Sequence, residues 1–443
     1  MNLLLDLINF RLDKLLTKVV TSLIMLYIDK NMRADLTSDE RITPLQIMDA
    51  RQELLEIFES DEQGWLKILD DKKYWHTVKA QIKSFAKFKH LLVLGIGGSD
   101  LGCRAILEAM RTSGTKTKIH FAGDTTDPDE IESVFNQLDW KHTAVNVISK
   151  SGGTLETMSV FFAAKERLEK AVGAKKASQA IICTTDPKKG ALLELANEKG
   201  YAALPIPQNI GGRFSTLTAV GLFPAGLAGI NISKILSGAI NLRNDWQKYG
   251  GASHIINQFS AYHTAHYHKK RRIHVLFCYA SALKRFATWY RQIWAESLGK
   301  TPVAGPTPII AMGPADQHSQ LQLFQDGPDD KVYTFLQVDS FQSKLRVPAS
   351  IATMADLNYA KNKTFQNLIQ SALTGTSEAL SAQNKPVGIL NIKKIDEASI
   401  GQLFVFYEIA VSITGLMLHI NPFDQPGVED SKQRVKKLLA SNS

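Results

Sequence analysis

The stretch ISKSGGTLET, residues 148–157, sets the hydroxyls of Ser149, Ser151 and Thr154, the ammonium of Lys150 and a glycine pair between an apolar run and a helical-looking run. A strand-to-helix junction exposes unsatisfied amides and the positive end of a helix dipole. With hydroxyls added, such a junction suits a phosphate dianion, which brings several acceptor oxygens. The stretch does not match GxxxxGK[ST], which disfavours a Walker-type nucleotide loop. The competing reading is a plain helix cap by Ser151 or Thr154, supported by Glu156. The paired glycines favour phosphate.

Two further glycine turns are candidates. GIGGSDLG (95–102) follows an apolar run and opens a helix, but fails the dinucleotide fingerprint, because Asp100 stands at the third glycine position. It fits equally a turn that brings a ligand to the amides of Gly98 and Ser99, or a tight turn with no ligand. NIGGRFSTLT (209–218) puts Arg213 after a glycine pair. A fixed guanidinium there can stabilise a developing oxyanion, but on this motif alone a structural arginine pairing an interdomain carboxylate is preferred. Downstream, WAESLGK places Glu296 beside Trp294 and Ala295, where partial desolvation would raise its pKa toward that of a useful base. His318 lies in a polar turn opening an apolar helix. Taken singly, a surface glutamate is the preferred reading of Glu296 over catalysis, and a first-turn histidine the preferred reading of His318.

The elements that must carry these groups are legible as texture. Residues 1–88 read as helical. From Leu91 onward, LLVLGIGGSDLG, KIHFAG, AVNVISKSGG, QAIICTTD and AALPIP are short apolar runs ending in turn residues. A second set follows: RIHVLFCYA, TPIIAMG, VYTFLQV and PVGILNI. The alternation with helical periodicity predicts parallel sheets flanked by helices. The run from Phe214 to Ser233 is uncharged and of membrane length, but Pro224 and its many small residues favour a buried helix. The first 30 residues lack a basic start and carry Asp6 early, which favours an amphipathic helix over a signal peptide.

The chain has 443 residues, 44% hydrophobic and 21% charged, room for two or three ordinary globular domains. Its 52 basic and 43 acidic residues leave a charge of +9, which favours an anionic partner. HKKRR (268–272) has no aromatic interleaving and reads as a solvated turn, not a nucleic-acid patch. Cys103, Cys183 and Cys278 are scattered and read as reduced core thiols of a cytoplasmic protein. In HTAHYH, His263 and His266 share a helical face while His268 turns away, and no carboxylate stands at ligand spacing, so no metal site is expected.

Taken together, GIGGSDLG, SKSGGTLET, NIGGRFSTLTAVG, WAESLGK, DQHSQLQLFQDGP and NPFDQPGVEDSK, in this order across residues 95–432, resemble the glucose-6-phosphate isomerase (phosphoglucose isomerase) family in its compact bacterial form. The resemblance implies an α/β fold of two doubly wound parallel-sheet sugar-isomerase (SIS) domains, each a three-layer αβα unit, with helical N- and C-terminal extensions. The expected divisions are 1–88, 89–235, 236–423 and 424–443. It further implies that Ser149, Lys150, Ser151 and Thr154 form the phosphate loop, and that Gly98 and Ser99 contact sugar hydroxyls. Gln292 and Gln425 match substrate-contacting glutamines. Glu296 matches the proton-transferring base, Arg213 the arginine that stabilises the enediolate, and His318 and Lys432 the ring-opening groups. His318 is expected from a neighbouring subunit, hence a homodimer. The implied reaction is the reversible interconversion of glucose 6-phosphate and fructose 6-phosphate through a cis-enediol, with no cofactor, metal, nucleic acid or membrane. The alternatives are a broader isomerase that also takes mannose 6-phosphate and a non-catalytic phosphosugar-binding regulator. A regulator has no reason to keep Glu296, Arg213, His318 and Lys432 together.

Overall fold

A computed structural model describes residues 26–28, 42–111 and 117–441. Apart from Leu26–Ile28, the expected N-terminal amphipathic helix lies outside these residues. The strands are β1 (Leu26–Ile28), β2 (His90–Leu94), β3 (Lys118–Ala122), β4 (Thr143–Ile148), β5 (Ile181–Thr185), β6 (Ala202–Pro205), β7 (Ile273–Cys278), β8 (Thr307–Met312), β9 (Lys331–Ser340) and β10 (Val387–Lys394). All nine apolar runs read from the sequence are strands. The tenth, β1, sits in a segment that reads as helical.

Two five-stranded sheets result. The first has the order β3-β2-β4-β5-β6 and is parallel throughout. The second has the order β1-β10-β9-β7-β8; four strands are parallel, and β1 pairs antiparallel with β10 on the edge. The second sheet is thus mixed, a small departure from the parallel sheet expected. Central strands such as β2 (HLLVL) and β4 (TAVNVI) are buried almost end to end, as strands covered by helices on both faces must be.

In the first sheet the chain leaves β2 toward β3, then crosses back to β4 on the other side of β2. That reversal opens a crevice at the carboxyl ends of β2 and β4, where open α/β sheets bind ligands. GIGGSD follows β2 and SKSGG follows β4, so both glycine turns lie at its mouth.

The helices Ile232–Tyr249, Ile255–His268 and Lys284–Leu298 all pack on a fourth, Glu397–Met417. The last is apolar all round and long enough to cross a membrane, yet it is fully buried inside the fold, as a core helix is. Its backbone lies against that of Ile232–Tyr249: a Cβ at Gly238 would strike the carbonyl of Ala398, and one at Gly401 the carbonyl of Ile235. The expected division at residue 235 falls inside the helix Ile232–Tyr249. The uncharged run around Pro224 forms the buried helix Ala219–Leu227. In the basic HKKRR turn, Arg271 pairs Asp329 and Arg272 lies over the Tyr267 ring.

Candidate active site

β4 delivers the chain at Ile148 into the loop that precedes the helix Leu155–Val172. Thr154 occupies the N-cap position with extended backbone, but its side chain accepts no hydrogen bond from the first turn. The capping alternative is therefore not realised, and the first-turn amides keep no side-chain acceptor among the described residues. The Thr154 and Ser149 hydroxyls lie 3.2 Å apart, Gly152 N–H donates to Ser149 Oγ at 3.0 Å, and Gly153 N–H donates to Ser151 Oγ at 3.2 Å. Gly152 holds a φ of 70°, which a glycine adopts without strain. Donors and hydroxyls thus converge on one turn. Lys150 points elsewhere: its ammonium donates to the carbonyls of Gln208 at 2.8 Å and Ile210 at 3.0 Å.

The other two glycine turns are packed together. Gly97–Ser99 and Gly212–Phe214 are short 3-10 turns. A Cβ on Gly98 would overlap the carbonyl of Gly212 and stand 2.7 Å from Arg213 N. Ser215 Oγ bridges them, donating to the carbonyls of Gly212 at 2.6 Å and Gly98 at 3.4 Å. Ser99 is half-buried at the edge of this contact.

Arg213 is itself 2% exposed, and its guanidinium is held from three sides. Nε donates to Ser297 Oγ at 2.7 Å, Nη2 to the carbonyls of Pro422 at 2.6 Å and Asp424 at 2.9 Å, and Nη1 to Gln425 Oε1 at 2.7 Å. The segment Pro422–Gln425 is thus a strap tied across the arginine. Lys300 fastens it further through Asp424, 2.9 Å from Oδ1 and also on the carbonyl.

Glu296 sits on the helix Lys284–Leu298, one turn after Gln292, so the two share a face. Gln292 Nε2 donates to Glu296 Oε1 at 3.0 Å, while Oε2 lies 3.6 Å from Arg213 Nη1. About a third of the Glu296 side chain remains open to solvent. The expected desolvation by Trp294 is not how the site is built. Two residues before Glu296, Trp294 points into the core, where its indole N–H donates to His274; a guanidinium and an amide face the carboxylate instead. Gln292 also touches the first glycine turn, since a Cβ on Gly97 would lie 2.8 Å from its Nε2.

His263 and His266 are buried, with His263 between His274 and Thr334 at 3.1 and 3.0 Å. His318 and Lys432 are not joined to this group among the described residues. His318 ends the 3-10 turn Ala315–Gln317 after β8, exposed to solvent. Lys432 lies on the exposed helix Glu429–Ser441 and pairs with Glu429 at 2.8 Å. Ser297, Lys300 and Asp424 are contributors that sequence reasoning missed, although ESLGK and NPFDQ are the segments that contain them.

The assembled group is a half-open carboxylate between an amide and an anchored guanidinium, contiguous with a glycine turn whose neighbouring strand ends in a donor-rich loop. It can move a proton on a carbon acid beside a developing oxyanion while a remote anion is held. The sequence profile of the family described as phosphoglucose isomerase matches residues 71–443. The chain is 36% identical over 374 residues to a glucose-6-phosphate isomerase of Carboxydothermus hydrogenoformans, covering 80% of this chain and 79% of that one. It is 35% identical over 393 residues to the enzyme of the same name from Shouchella clausii, covering 86% and 87%. Among solved structures, a hypothetical protein of Thermus thermophilus matches with a TM-score of 0.84 at 29% identity, covering 94% of this chain and 100% of that one. A glucose-6-phosphate isomerase of Chlamydia trachomatis shares the fold with a TM-score of 0.71 at 23% identity, covering 83% and 73%.

Proposed function

The chain belongs to the phosphoglucose isomerase family, and on that premise we propose that it interconverts glucose 6-phosphate and fructose 6-phosphate with Glu296 as the proton-transferring base. The observation that carries the assignment is the Glu296 carboxylate lying 3.6 Å from a guanidinium that the fold itself anchors. Aldose–ketose conversion needs proton movement between adjacent carbons and a stabiliser for the enediol oxygens. Glu296 removes the proton from the second carbon and returns it to the first, while Arg213 faces the negative charge as it develops. The hydroxyls of Ser149, Ser151 and Thr154, with the first-turn amides, receive the phosphate and fix the orientation of the distant reacting carbons. Gly98 and Ser99 contact sugar hydroxyls, and Gln292 and Gln425 flank the carboxylate and guanidinium. His318 and Lys432 serve ring opening, one giving a proton to the ring oxygen and the other drawing it from the anomeric hydroxyl. In this reading the chain divides as expected at 1–88, 89–235, 236–423 and 424–443, except that the second boundary moves to the start of the helix Ile232–Tyr249, which stays whole.

In Glu296→Gln, turnover of fructose 6-phosphate in EDTA is expected to fall by ~10²–10⁴-fold while substrate still binds. Full activity in that variant refutes the assigned base.

The proposed assembly is a homodimer in which His318 completes the partner's site. Two observations support it. His318 is exposed and makes no contact with the Glu296 group among the described residues, and the arm between β9 and the helix Phe365–Ala382 exposes Leu345, Met354 and Tyr359 beside Phe365 at the start of that helix. Mixing inactive Glu296→Gln and His318→Gln chains is expected to restore activity through hybrid dimers holding one intact site. No recovery on mixing argues against a shared site. A cytoplasmic setting is supported by the three buried, unpaired cysteines.

A further inference from the structure

We propose that Lys150 is a positioning residue which locks the anion loop to the arginine turn, and is not a ligand of the anion. This inference rests on the isomerase reading above and refines one residue of it. A lysine beside three hydroxyls invites assignment as a phosphate contact, yet its ammonium bonds the two carbonyls of Gln208 and Ile210. Both belong to the segment that leads directly into Gly211, Gly212 and Arg213.

The same segment is held by a closed ring of bonds. Gln208 gives its carbonyl to Lys150 and its side-chain amide to Asp186, at 3.2 and 3.1 Å from the two carboxylate oxygens. Asp186 N–H donates back to the carbonyl of Lys150 at 3.4 Å, and the Asp186 carboxylate also accepts from the amides of Lys188 and Lys189. Thr185 Oγ1 donates to the carbonyl of Ser149 at 2.7 Å, pinning the start of the anion loop to the end of β5. The ring therefore joins three loops at the carboxyl ends of β4, β5 and β6. Lys150 is the member that reaches from the anion loop to the arginine segment.

Burial agrees with the role. Lys150 is half-buried and desolvation lowers its pKa, with Asp186 opposing that effect. The anion loop retains its hydroxyls and its uncapped first-turn amides without it. Lys150 thus sets how far a bound phosphate stands from Arg213 and Glu296, a separation on which turnover depends steeply.

The test uses the full chain, with fructose 6-phosphate for turnover and inorganic phosphate as the binding probe. For Lys150→Met the expected result is a fall in kcat of about tenfold or more, with phosphate affinity and KM changed by less than about threefold. Lys150→Arg, which keeps donors within reach of the carbonyls, is expected to recover part of the loss. Asp186→Asn breaks the ring from outside the anion loop and is expected to lower kcat in the same direction with phosphate affinity unchanged. It also decides the matter if Lys150→Met fails to fold. A matched loss of phosphate affinity and KM with kcat retained makes Lys150 an anion ligand and overturns the proposal, as does unchanged kcat in folded Asp186→Asn. If the unaltered protein does not turn over the hexose phosphates, the functional reading fails, whereas phosphate binding still reports on the loop.

Discussion

Ser297 gives the sharpest access to how the site is held. Its hydroxyl accepts the Nε–H of Arg213 at 2.7 Å, and both side chains are buried. Ser297→Ala removes that acceptor and leaves a charged donor unsatisfied in the interior. A hydrogen bond to a charged group contributes ~1.5–3 kcal/mol, and each ~1.4 kcal/mol is a factor of ten in rate. If the lost anchoring is felt at the enediolate stage, kcat falls by ~10- to ~150-fold. The anion loop is untouched, so KM is expected to stay within about threefold. The assay couples glucose 6-phosphate formation to a dehydrogenase and follows nicotinamide absorbance, with thermal unfolding run in parallel. Partial loss of stability is expected, because the orphaned donor costs ~1–3 kcal/mol. A folded variant with unchanged kcat and unchanged melting temperature sinks the reasoning, since the hydroxyl would then hold nothing.

Gly98→Ala forces a methyl against the backbone of Gly212 and Arg213, which cannot yield as a side-chain tip would. Turnover is expected to fall by at least about tenfold, from displacement of the arginine turn; normal kinetics with a normal melting temperature would show the two turns to be independent. Glu408, in the middle of the core helix, is 1% exposed, its Oε1 meets no partner among the described residues, and burial holds its pKa well above the ordinary carboxyl value. A raised folded pKa contributes stability that is lost as pH climbs from the unfolded value toward the folded one. Glu408→Gln does not titrate, so its advantage over the unaltered chain is expected to grow by ~1.4 kcal/mol per pH unit above about 4.3, until the folded carboxyl ionises. Denaturation at pH 5 and pH 7 measures it, and an equal difference at both values contradicts it.

The legible and illegible parts of this protein divide along physical lines. Strands buried on both faces are largely apolar, so β2, β4, β5 and β7 stand out as near-continuous apolar runs, with Asn146 and His274 as buried polar interruptions. β1 is three residues long, on an edge, within a stretch whose apolar residues suit a helix, and only its pairing with β10 makes it a strand. The donor-rich turn after β4 is readable because hydroxyls and glycines are visible in residue types. The setting of Glu296 is misjudged when neighbours in sequence are taken for neighbours in space. Residues two apart on a helix face different ways, so Trp294 serves the core while Glu296 faces Arg213. Lys150 misleads for the opposite reason: its type suits an anion, but the carbonyls it meets lie about sixty positions along the chain.

The strap over Arg213 gives the C-terminal segment a weight out of proportion to its length. Because the Arg213 guanidinium is oriented by the carbonyls of Pro422 and Asp424, a cut after Ile420 interrupts no strand of either sheet and yet falls beside the segment that supplies those acceptors. The orientation of one buried guanidinium therefore depends on backbone that lies beyond every strand of both sheets in the chain.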